Sequence, residues 1–419
     1  MRSPPGLVFA VLLTTAACSD PPTAAAPGTD ERRLETAAAA AVGRQIFFDP
    51  SLSLNRNQSC ASCHDPAWGF TAPDPAINAG GSVMAGSVSS RSGTRRPPSA
   101  SYAAFAPVRY WDGGAESFVG GNFWDGRATG ARLGSPAAEQ ALFPFVNPVE
   151  MALPDQACVV HRVARAAYVQ AYIAAWGDDI QRIAFPANTD ELCGQEGVRV
   201  PLTADDRNLV AREYDRIGHS LAAFERSPAV SPFSSKYDRS LQGEASLTLL
   251  EREGYAVFVG KGRCATCHPS AGRRALFTDF TSANIGVPVN AANPELGRNA
   301  AFVDSGIGTV DTRASQSGRF KVPTLRNLSR TGIPGAARSY MHNGVFKSLE
   351  QVVHFLNTRD VLPRCDQLAE PELGVNCWPA PEVTANLNRT EVGDLGLTRH
   401  EEIALVAFLR TLDDASAAP

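Results

Sequence analysis

The chain contains the pentapeptides Cys60-Ala61-Ser62-Cys63-His64 and Cys264-Ala265-Thr266-Cys267-His268, two copies of the pattern Cys-x-x-Cys-His. Two thiols at this spacing can bond the two vinyl groups on one edge of a porphyrin, and the adjacent imidazole then lies under the iron as its axial ligand. A Cys-x-x-Cys pair is also typical of zinc knuckles and redox dithiols, but the histidine that follows both copies favours haem. The sequence therefore predicts two covalently bound c-type haems, with His64 and His268 as iron ligands.

The N-terminus is typical of an exported bacterial protein. Arg2 is followed by the apolar run Leu7 to Ala17, which is too short to cross a bilayer as a permanent helix. Small residues precede Cys18, so we expect residues 1–18 to be a lipoprotein signal and Cys18 to be lipidated; plain secretion with cleavage nearby is the alternative. Residues 19–34 have the composition of a flexible tether. Both alternatives predict a periplasmic protein, which touches a membrane only if the lipid anchor is present.

The charge balance limits the kind of partner. The chain has 39 basic and 43 acidic residues, a formal net charge of −4. A nucleic-acid-binding protein would be expected to carry a basic excess on one face. The composition therefore argues against a nucleic-acid partner.

The remaining cysteines are even in number. Of nine cysteines, four belong to the pentapeptides and one to the export signal, which leaves Cys158, Cys193, Cys365 and Cys377. Outside the cytoplasm such thiols oxidise. We expect the disulfides Cys158–Cys193 and Cys365–Cys377, each closing a loop within one half of the chain; free buried thiols are the alternative.

The two halves of the chain follow one plan. Gly43 to Phe47 and Gly254 to Phe258 precede the two pentapeptides and are each typical of the end of an amphipathic helix. Near the end of each half, Thr203 or Thr398 is followed three residues later by an acid, the spacing of a helix N-cap. An attachment motif between an N-terminal and a C-terminal helix is thus repeated.

This repeat predicts a mainly α fold of two cytochrome-c-like domains, each with one covalent haem. We place the domains at 35–228 and 240–413, joined by a linker at 229–239. Long irregular loops at 71–101 and 291–320 lack a helical period. Loops of this length in compact domains tend to cover functional sites.

The chain resembles the bacterial di-haem cytochrome c peroxidase and MauG superfamily over most of residues 40–412, and is most similar to its MbnH-type, MauG-like branch. The resemblance is carried, besides the pentapeptides, by Phe123-Trp124-Asp125-Gly126-Arg127, Asn147-Pro148-Val149-Glu150-Met151, Phe320-Lys321-Val322-Pro323-Thr324-Leu325-Arg326-Asn327 and Tyr340-Met341-His342-Asn343-Gly344. It implies that the N-terminal haem meets peroxide and the C-terminal haem transfers electrons.

The resemblance also implies roles for individual residues. Trp124 corresponds to a tryptophan between the two haems, where an indole can relay charge; ordinary core packing is the alternative. Trp111, in the near-copy Tyr110-Trp111-Asp112-Gly113, is a weaker candidate. Gln140, Pro144 and Glu150 correspond to positions over the first haem, where a carboxylate can take a proton from peroxide and return it to the departing oxygen.

The first iron is expected to be open. Family peroxidases often carry a distal histidine that blocks this iron, but no histidine lies between His64 and His161. We therefore expect a five-coordinate first haem. The alternative is that a distant histidine such as His161 folds back onto it.

The residues expected around the second iron depart from the family pattern. The position of the usual Met or Tyr ligand falls on Leu356, which cannot bind iron. Three alternatives stay open: His354 as the sixth ligand, Met341 as the sixth ligand, or no sixth ligand. The family also holds a calcium ion between its domains, but here Arg96 stands where an asparagine usually supplies oxygen.

The first functional hypothesis is an enzyme that uses hydrogen peroxide to oxidise a small exported protein. In the MbnH-type branch such a reaction converts a tryptophan of the partner to kynurenine. The alternative is a peroxidase that reduces hydrogen peroxide to water with electrons from a small cytochrome or copper protein, which needs a high-potential second haem. The third is a tethered, non-enzymatic electron carrier with both irons six-coordinate.

Overall fold

The computed structural model describes residues 36–81 and 83–415. The predicted signal, Cys18 and the predicted tether lie outside the described residues. Within them the fold is mainly helical, as the sequence predicts. The helices are α1 (Ala37–Phe47), α2 (Cys60–Cys63), α3 (Pro75–Gly80), α4 (Pro136–Val146), α5 (Gln156–Ala164), α6 (Val169–Trp176), α7 (Thr189–Leu192), α8 (Ala204–Arg226), α9 (Lys236–Leu241), α10 (Leu249–Val259), α11 (Pro294–Arg298), α12 (Leu349–Thr358) and α13 (Arg399–Arg410).

Two short antiparallel ribbons complete the regular structure. Strands β1 (Tyr110–Asp112) and β2 (Ser117–Val119) form a hairpin in which Trp111 faces Phe118. Strands β3 (Ser282–Ala283) and β4 (Phe320–Lys321) pair across a long connection. Among the described residues, no helix has the length and apolar character needed to span a bilayer.

The buried apolar side chains form two large clusters in succession along the chain. The first runs from Ala39 to Val230 and contains α1, α4, α5, α6 and α8. The second runs from Tyr237 to Leu412 and contains α10, α12 and α13. Helix α9 begins inside the predicted linker, and its Tyr237 already packs in the second cluster. The domain limits themselves stay a prediction.

One close helix contact occurs in both halves. A Cβ atom added to Gly43 in α1 would overlap the carbonyl oxygen of Ser220 in α8, and one added to Gly254 in α10 would overlap that of Ala404 in α13. In each half the backbone of the N-terminal helix therefore touches that of the C-terminal helix. Only glycine allows this approach, which explains why both helices carry one at this point.

Replacing either glycine by alanine should therefore destabilise the fold. We expect Gly43→Ala and Gly254→Ala each to lower the free energy of unfolding by about 1–3 kcal/mol or more, because the added methyl group forces the helices apart. Thermal unfolding of the haem-loaded protein measures the change. Gly297→Ala in α11, where the new Cβ meets no atom within 4 Å, is the control. Equal effects at all three sites would contradict the close contact.

The helix starts follow the predicted caps. The Thr203 hydroxyl accepts a hydrogen bond from the Asp206 amide at the start of α8. Thr398 and Glu401 form a reciprocal pair at the start of α13. Helix α3, by contrast, lies inside the predicted loop 71–101. It forms because Asp74 caps its first amides and Pro75 occupies its first position.

The structure contains both expected disulfides. Cys158 is bonded to Cys193 inside the first cluster, and Cys365 is bonded to Cys377 beside the second. The other four described cysteines are the free thiols of the pentapeptides. Both bonds lie within one half of the chain, which is the pairing that the sequence predicts.

Candidate functional site

A mostly apolar cavity of about 290 Å³ reaches both pentapeptides. His64 lines it from the first half, and Cys264, Cys267 and His268 line it from the second. Trp124 lines the same cavity. The structure therefore brings together two motifs that are far apart in sequence, with the predicted relay residue in the space they share.

The two motif histidines have the same orientation. Nδ1 of His64 lies 3.1 Å from the carbonyl oxygen of Phe70, and Nδ1 of His268 lies 2.7 Å from that of Phe277. A carbonyl can only accept, so each Nδ1 carries the hydrogen and each Nε2 keeps a free lone pair. Burial lowers the pKa of both rings, which keeps them neutral. A neutral imidazole held through its other nitrogen is the arrangement that an axial iron ligand requires.

The four motif thiols are also in the state that covalent haem requires. Burial raises the pKa of Cys60, Cys63 and Cys264 to about 12 and that of Cys267 to about 11. Zinc knuckles and redox dithiols use thiolates, which these surroundings disfavour. Neutral thiols fit addition to the vinyl groups of a porphyrin, and Cys264 and Cys267 also line the apolar cavity. The residues present therefore fit two covalently bound haems.

Trp124 is held firmly in its position. Its Nε1–H donates to the carbonyl oxygen of Arg96 at 2.8 Å. Its ring meets the His342 ring edge-on, with 6.4 Å between centroids. Trp111 lies instead in the β1–β2 hairpin, packed edge-on against Phe118 and more than a third exposed. Of the two candidates, only Trp124 lines the cavity.

A buried ion-pair cluster holds the segment that contains Trp124 against the second half of the chain. The Arg95 guanidinium donates to both oxygens of Asp304 at 2.7 Å and to Asp125 at 2.5 Å. Asp125 also accepts from Arg127. Because Asp125 directly follows Trp124, the cluster fixes the position of Trp124 between the two halves of the chain.

The predicted distal residues lie in two different positions. Gln140, on α4, lines the cavity. Glu150 is not among its lining residues, but its charge helps to raise the pKa of the Cys63 thiol, which places it beside the first motif. Its carboxylate accepts from the Asn147 side chain at 2.7 Å. Burial raises the pKa of Glu150, and this hydrogen bond opposes the rise only in part.

The candidates for the second iron differ in orientation. Met341 and Leu356 line the cavity, and His354 does not. Nδ1 of His354 lies 2.8 Å from the Glu402 carboxylate on α13, on the other side of α12. The two-residue offset between His354 and Leu356 along α12 accounts for this difference, because it turns the side chain to another helix face.

The calcium site implied by the resemblance would lie at Arg96, whose side chain offers no oxygen, and at Thr331. Arg96 is buried and donates to the Ser339 hydroxyl, and the Thr331 hydroxyl donates to a nearby carbonyl. Among the described residues no group of three or more His, Cys, Asp or Glu is placed to hold a metal ion. The calcium ion stays a prediction.

Three residues near the site were not assigned a role from the sequence. His342 stacks on Phe320 with 3.6 Å between centroids, and its buried Nε2 has no hydrogen bond. Glu225, on α8, is buried near Cys60, and burial raises its pKa to about 8. Lys321 donates to the Asn122 side chain, and burial lowers its pKa to about 8. His342 and Lys321 belong to motifs quoted above, and Glu225 is an acid in an otherwise apolar stretch, so each carried a weak sequence signal.

All seven histidines of the chain lie among the described residues. His64, His268 and His342 line the cavity. His161 lies elsewhere, with its ring against Phe185 and its Nδ1 2.6 Å from the Arg165 guanidinium. The fold therefore does not bring His161 to the first motif.

Comparisons with known proteins also indicate a di-haem protein. The family described as "Di-haem cytochrome c peroxidase" matches residues 37–246. The methylamine utilization protein MauG of Paracoccus denitrificans (strain Pd 1222) is 40% identical over 392 residues, which cover 91% of this chain and 90% of that protein. The cytochrome c551 peroxidase of Nitrosomonas europaea is 28% identical and covers 76% of this chain and 72% of its own length.

Solved structures of the same kind match the fold. The diheme peroxidase BthA from Burkholderia thailandensis E264 superimposes with a TM-score of 0.69 at 29% identity, covering 91% of this chain and 87% of that one. A MauG-like protein associated with microbial copper homeostasis superimposes with a TM-score of 0.63 at 24% identity, covering 96% and 98% of the two chains. At that identity the second likeness concerns the fold alone.

Proposed function

Because the chain belongs to the di-haem cytochrome c peroxidase family and is a haem-dependent oxidoreductase of the peroxidase type, we propose that it uses hydrogen peroxide at an open first haem to oxidise a partner protein. Its two haem c groups would be held by Cys60, Cys63 and His64 and by Cys264, Cys267 and His268. When bound, they supply irons that react with peroxide and store oxidising equivalents. A non-enzymatic carrier does not fit this family.

The observation that supports an open first iron is the placement of the histidines. Of the three that line the cavity, His64 and His268 are the motif histidines. The third, His342, is stacked on Phe320 beside Trp124. No histidine is left to cover the iron that His64 would hold. Peroxide would therefore meet a site bordered by Gln140 and Trp124 rather than by a blocking ligand.

Glu150, which lies beside the first motif but does not line the cavity, would move the proton. As a carboxylate it can accept a proton from the oxygen of peroxide that approaches the iron, and as an acid it can return that proton to the departing oxygen. Asn147 orients it through the 2.7 Å hydrogen bond. Gln140, on the cavity wall, would orient the bound peroxide through its side-chain amide.

Trp124 would carry oxidising equivalents between the two haem sites. Its hydrogen bond to a backbone carbonyl keeps the indole in place, and a carbonyl is too weak a base to remove its proton. The partner would be a small exported protein, and the resemblance to the MbnH-type branch extends this proposal to oxidation of a tryptophan to kynurenine.

We further propose a periplasmic location, with Cys18 as a lipid anchor. The support is chemical, because c-type haem attachment and two disulfides both belong to an oxidising compartment. The domain limits 35–228 and 240–413 belong to the same proposal; the two buried clusters support two domains, but Val230 and Tyr237 of the predicted linker already pack in them.

Addition of stoichiometric hydrogen peroxide to the oxidised protein tests the function. We expect the optical spectrum to change to a long-lived form, oxidised by two electrons, without any added reductant. A resting spectrum with both irons low-spin and unresponsive to peroxide would contradict the proposal. Turnover that begins only after one-electron reduction would support the second candidate instead.

The second candidate is a peroxidase that reduces peroxide to water with electrons from a small cytochrome or copper protein. It is favoured by one observation, namely that the side chain of Met341 lines the cavity near the second motif. A sulfur ligand would raise the potential of the second haem.

The Met341 side chain can be tested directly. If it binds the second iron, Met341→Leu should remove the sulfur-to-iron absorption band in the near infrared and lower the potential of that haem. His354→Gln is the matched control and should change neither, because His354 points to Glu402. Loss of a ligand band in the His354 variant alone would show that the helix orientation changes when haem is bound.

A further inference from the structure

The Cys365–Cys377 disulfide closes a surface loop with an apolar tip. We name residues 365–377 the disulfide loop. Its tip residues Leu373 and Val375 are 46% and 62% exposed. Asp366, Glu370 and Glu372 belong to the same loop, are exposed, and form no ion pair within the described part of the chain. Exposed apolar side chains rimmed by charge are typical of a protein interface.

The disulfide loop is also rigid. Besides the disulfide, the Asn376 side chain accepts from the Glu372 amide at 2.8 Å and donates to the Glu370 carbonyl at 3.1 Å. The Gly374 amide donates to the Cys377 carbonyl. A surface that is already ordered loses little conformational entropy when a partner binds.

A buried tryptophan lies directly under the tip. Trp378 is fully buried, and a Cβ atom added to Gly374 would lie 3.0 Å from its ring. Gly374 therefore lies directly over one edge of this indole, between the exposed side chains Leu373 and Val375.

The other side of Trp378 packs on the wall of the haem cavity. Its ring meets Phe355 of α12 edge-on, with 5.2 Å between centroids. Leu349 and Val353 of the same helix line the cavity and share the buried cluster of Trp378. Helix α12 therefore contacts Trp378 and also lines the cavity that reaches the second motif.

We propose that the disulfide loop is the docking surface for the protein that is oxidised, and that Trp378 passes its electrons to the second haem site. The inference rests on the proposed function. The charge of the loop identifies the partner as a protein with an apolar patch flanked by lysine and arginine, because the loop that carries the apolar tip also carries three exposed, unpaired acids.

Oxidation of the docked protein would proceed in one-electron steps through Trp378. Trp378 gives one electron to the oxidised haem pair and is then reduced by one electron from the docked protein. Two such passes supply the two electrons that, with two protons, convert hydrogen peroxide to two waters. Trp378 keeps its proton throughout, since its Nε1–H donates to the Thr358 hydroxyl, which itself donates to the His354 carbonyl. Neither group is a base.

Docking can be tested with a reduced small cytochrome c whose haem edge is ringed by lysines as the probe. The dissociation constant, measured by calorimetry at low ionic strength, should rise at least tenfold in the double variant Leu373→Ser/Val375→Ser. Leu249→Ser/Val303→Ser, at two positions of similar exposure elsewhere, should leave it unchanged. Glu370→Gln/Glu372→Gln should weaken binding and reduce its salt dependence. Equal affinity for the wild type and the first double variant, or no saturable binding by the wild type, overturns the proposal.

Electron transfer is tested separately by mixing the peroxide-oxidised protein with the bound probe. Trp378→Phe should keep the dissociation constant and slow oxidation of the probe at least tenfold, and Trp378→Tyr should recover part of the rate. Trp176→Phe, at another buried indole that donates to a hydroxyl, should have no effect. An unchanged rate in Trp378→Phe overturns the role of Trp378. If the wild type does not react with peroxide at all, the proposed function fails, while the binding comparison still decides the docking surface.

Discussion

Replacing Glu150 by glutamine should slow the reaction of the oxidised protein with hydrogen peroxide by roughly 10²–10⁴-fold, the contribution of a positioned acid–base group. Glutamine keeps the size of the side chain and can still meet Asn147, but it cannot hold the proton that passes between the two oxygens of peroxide. Stopped-flow spectroscopy of the first haem measures the rate.

The pH dependence gives this prediction a second readout. Burial raises the pKa of Glu150, and only the ionised carboxylate can accept a proton. The wild-type rate should therefore fall as the pH falls through this raised pKa, and the Gln variant should lack that dependence. Glu225→Gln, at the other buried acid near the first motif, is the control and should keep both the rate and the pH profile. A wild-type profile retained in Glu150→Gln would remove Glu150 from the reaction.

Trp124→Phe should separate the reaction with peroxide from oxidation of the partner. We expect oxidation of the partner to slow roughly a hundredfold, equivalent to about 2.7 kcal/mol in the barrier. Phenylalanine can still pack against His342, but it is much harder to oxidise than an indole and cannot donate to the Arg96 carbonyl. The rate of the first reaction with peroxide should stay unchanged.

Trp111→Phe is the matched control for this experiment, because Trp111 lies in the outer hairpin and does not line the cavity. Its replacement should affect neither step. If the Trp111 and Trp124 variants slow oxidation of the partner equally, the path between the haem sites does not run through Trp124.

The features that could be predicted from the sequence are local in the chain. The caps at Thr203 and Thr398 depend on atoms three residues away and are present as expected. The short helix α3 inside the predicted loop 71–101 was not predicted. It is too short to show a hydrophobic period, and its start depends on Asp74 and Pro75. Periodicity detects long helices, whereas a helix of one or two turns is detected mainly by its cap.

Residue roles at the site were predictable only where a family motif names them. Trp124 could be distinguished from Trp111 by its motif, and the cavity supports that choice. The places of His342 beside Trp124 and of Trp378 under the disulfide loop could not be predicted, because they depend on neighbours that are mostly distant in sequence. His354 shows the same limit, since its nearness to Leu356 along the chain does not reveal that α13 supplies the acid it faces.

The sequence by itself determined the two haem attachment sites, since two thiols and an imidazole within five residues meet one porphyrin whatever the rest of the chain does. It also determined the paired helices around them, through their apolar periodicity and their N-caps. Only the tertiary structure decided which other side chains share the cavity, which histidine is turned away from it, and that an indole lies between it and an exposed apolar loop. Those relations depend on how separate segments pack, and packing is set by the whole core rather than by any one stretch of residues.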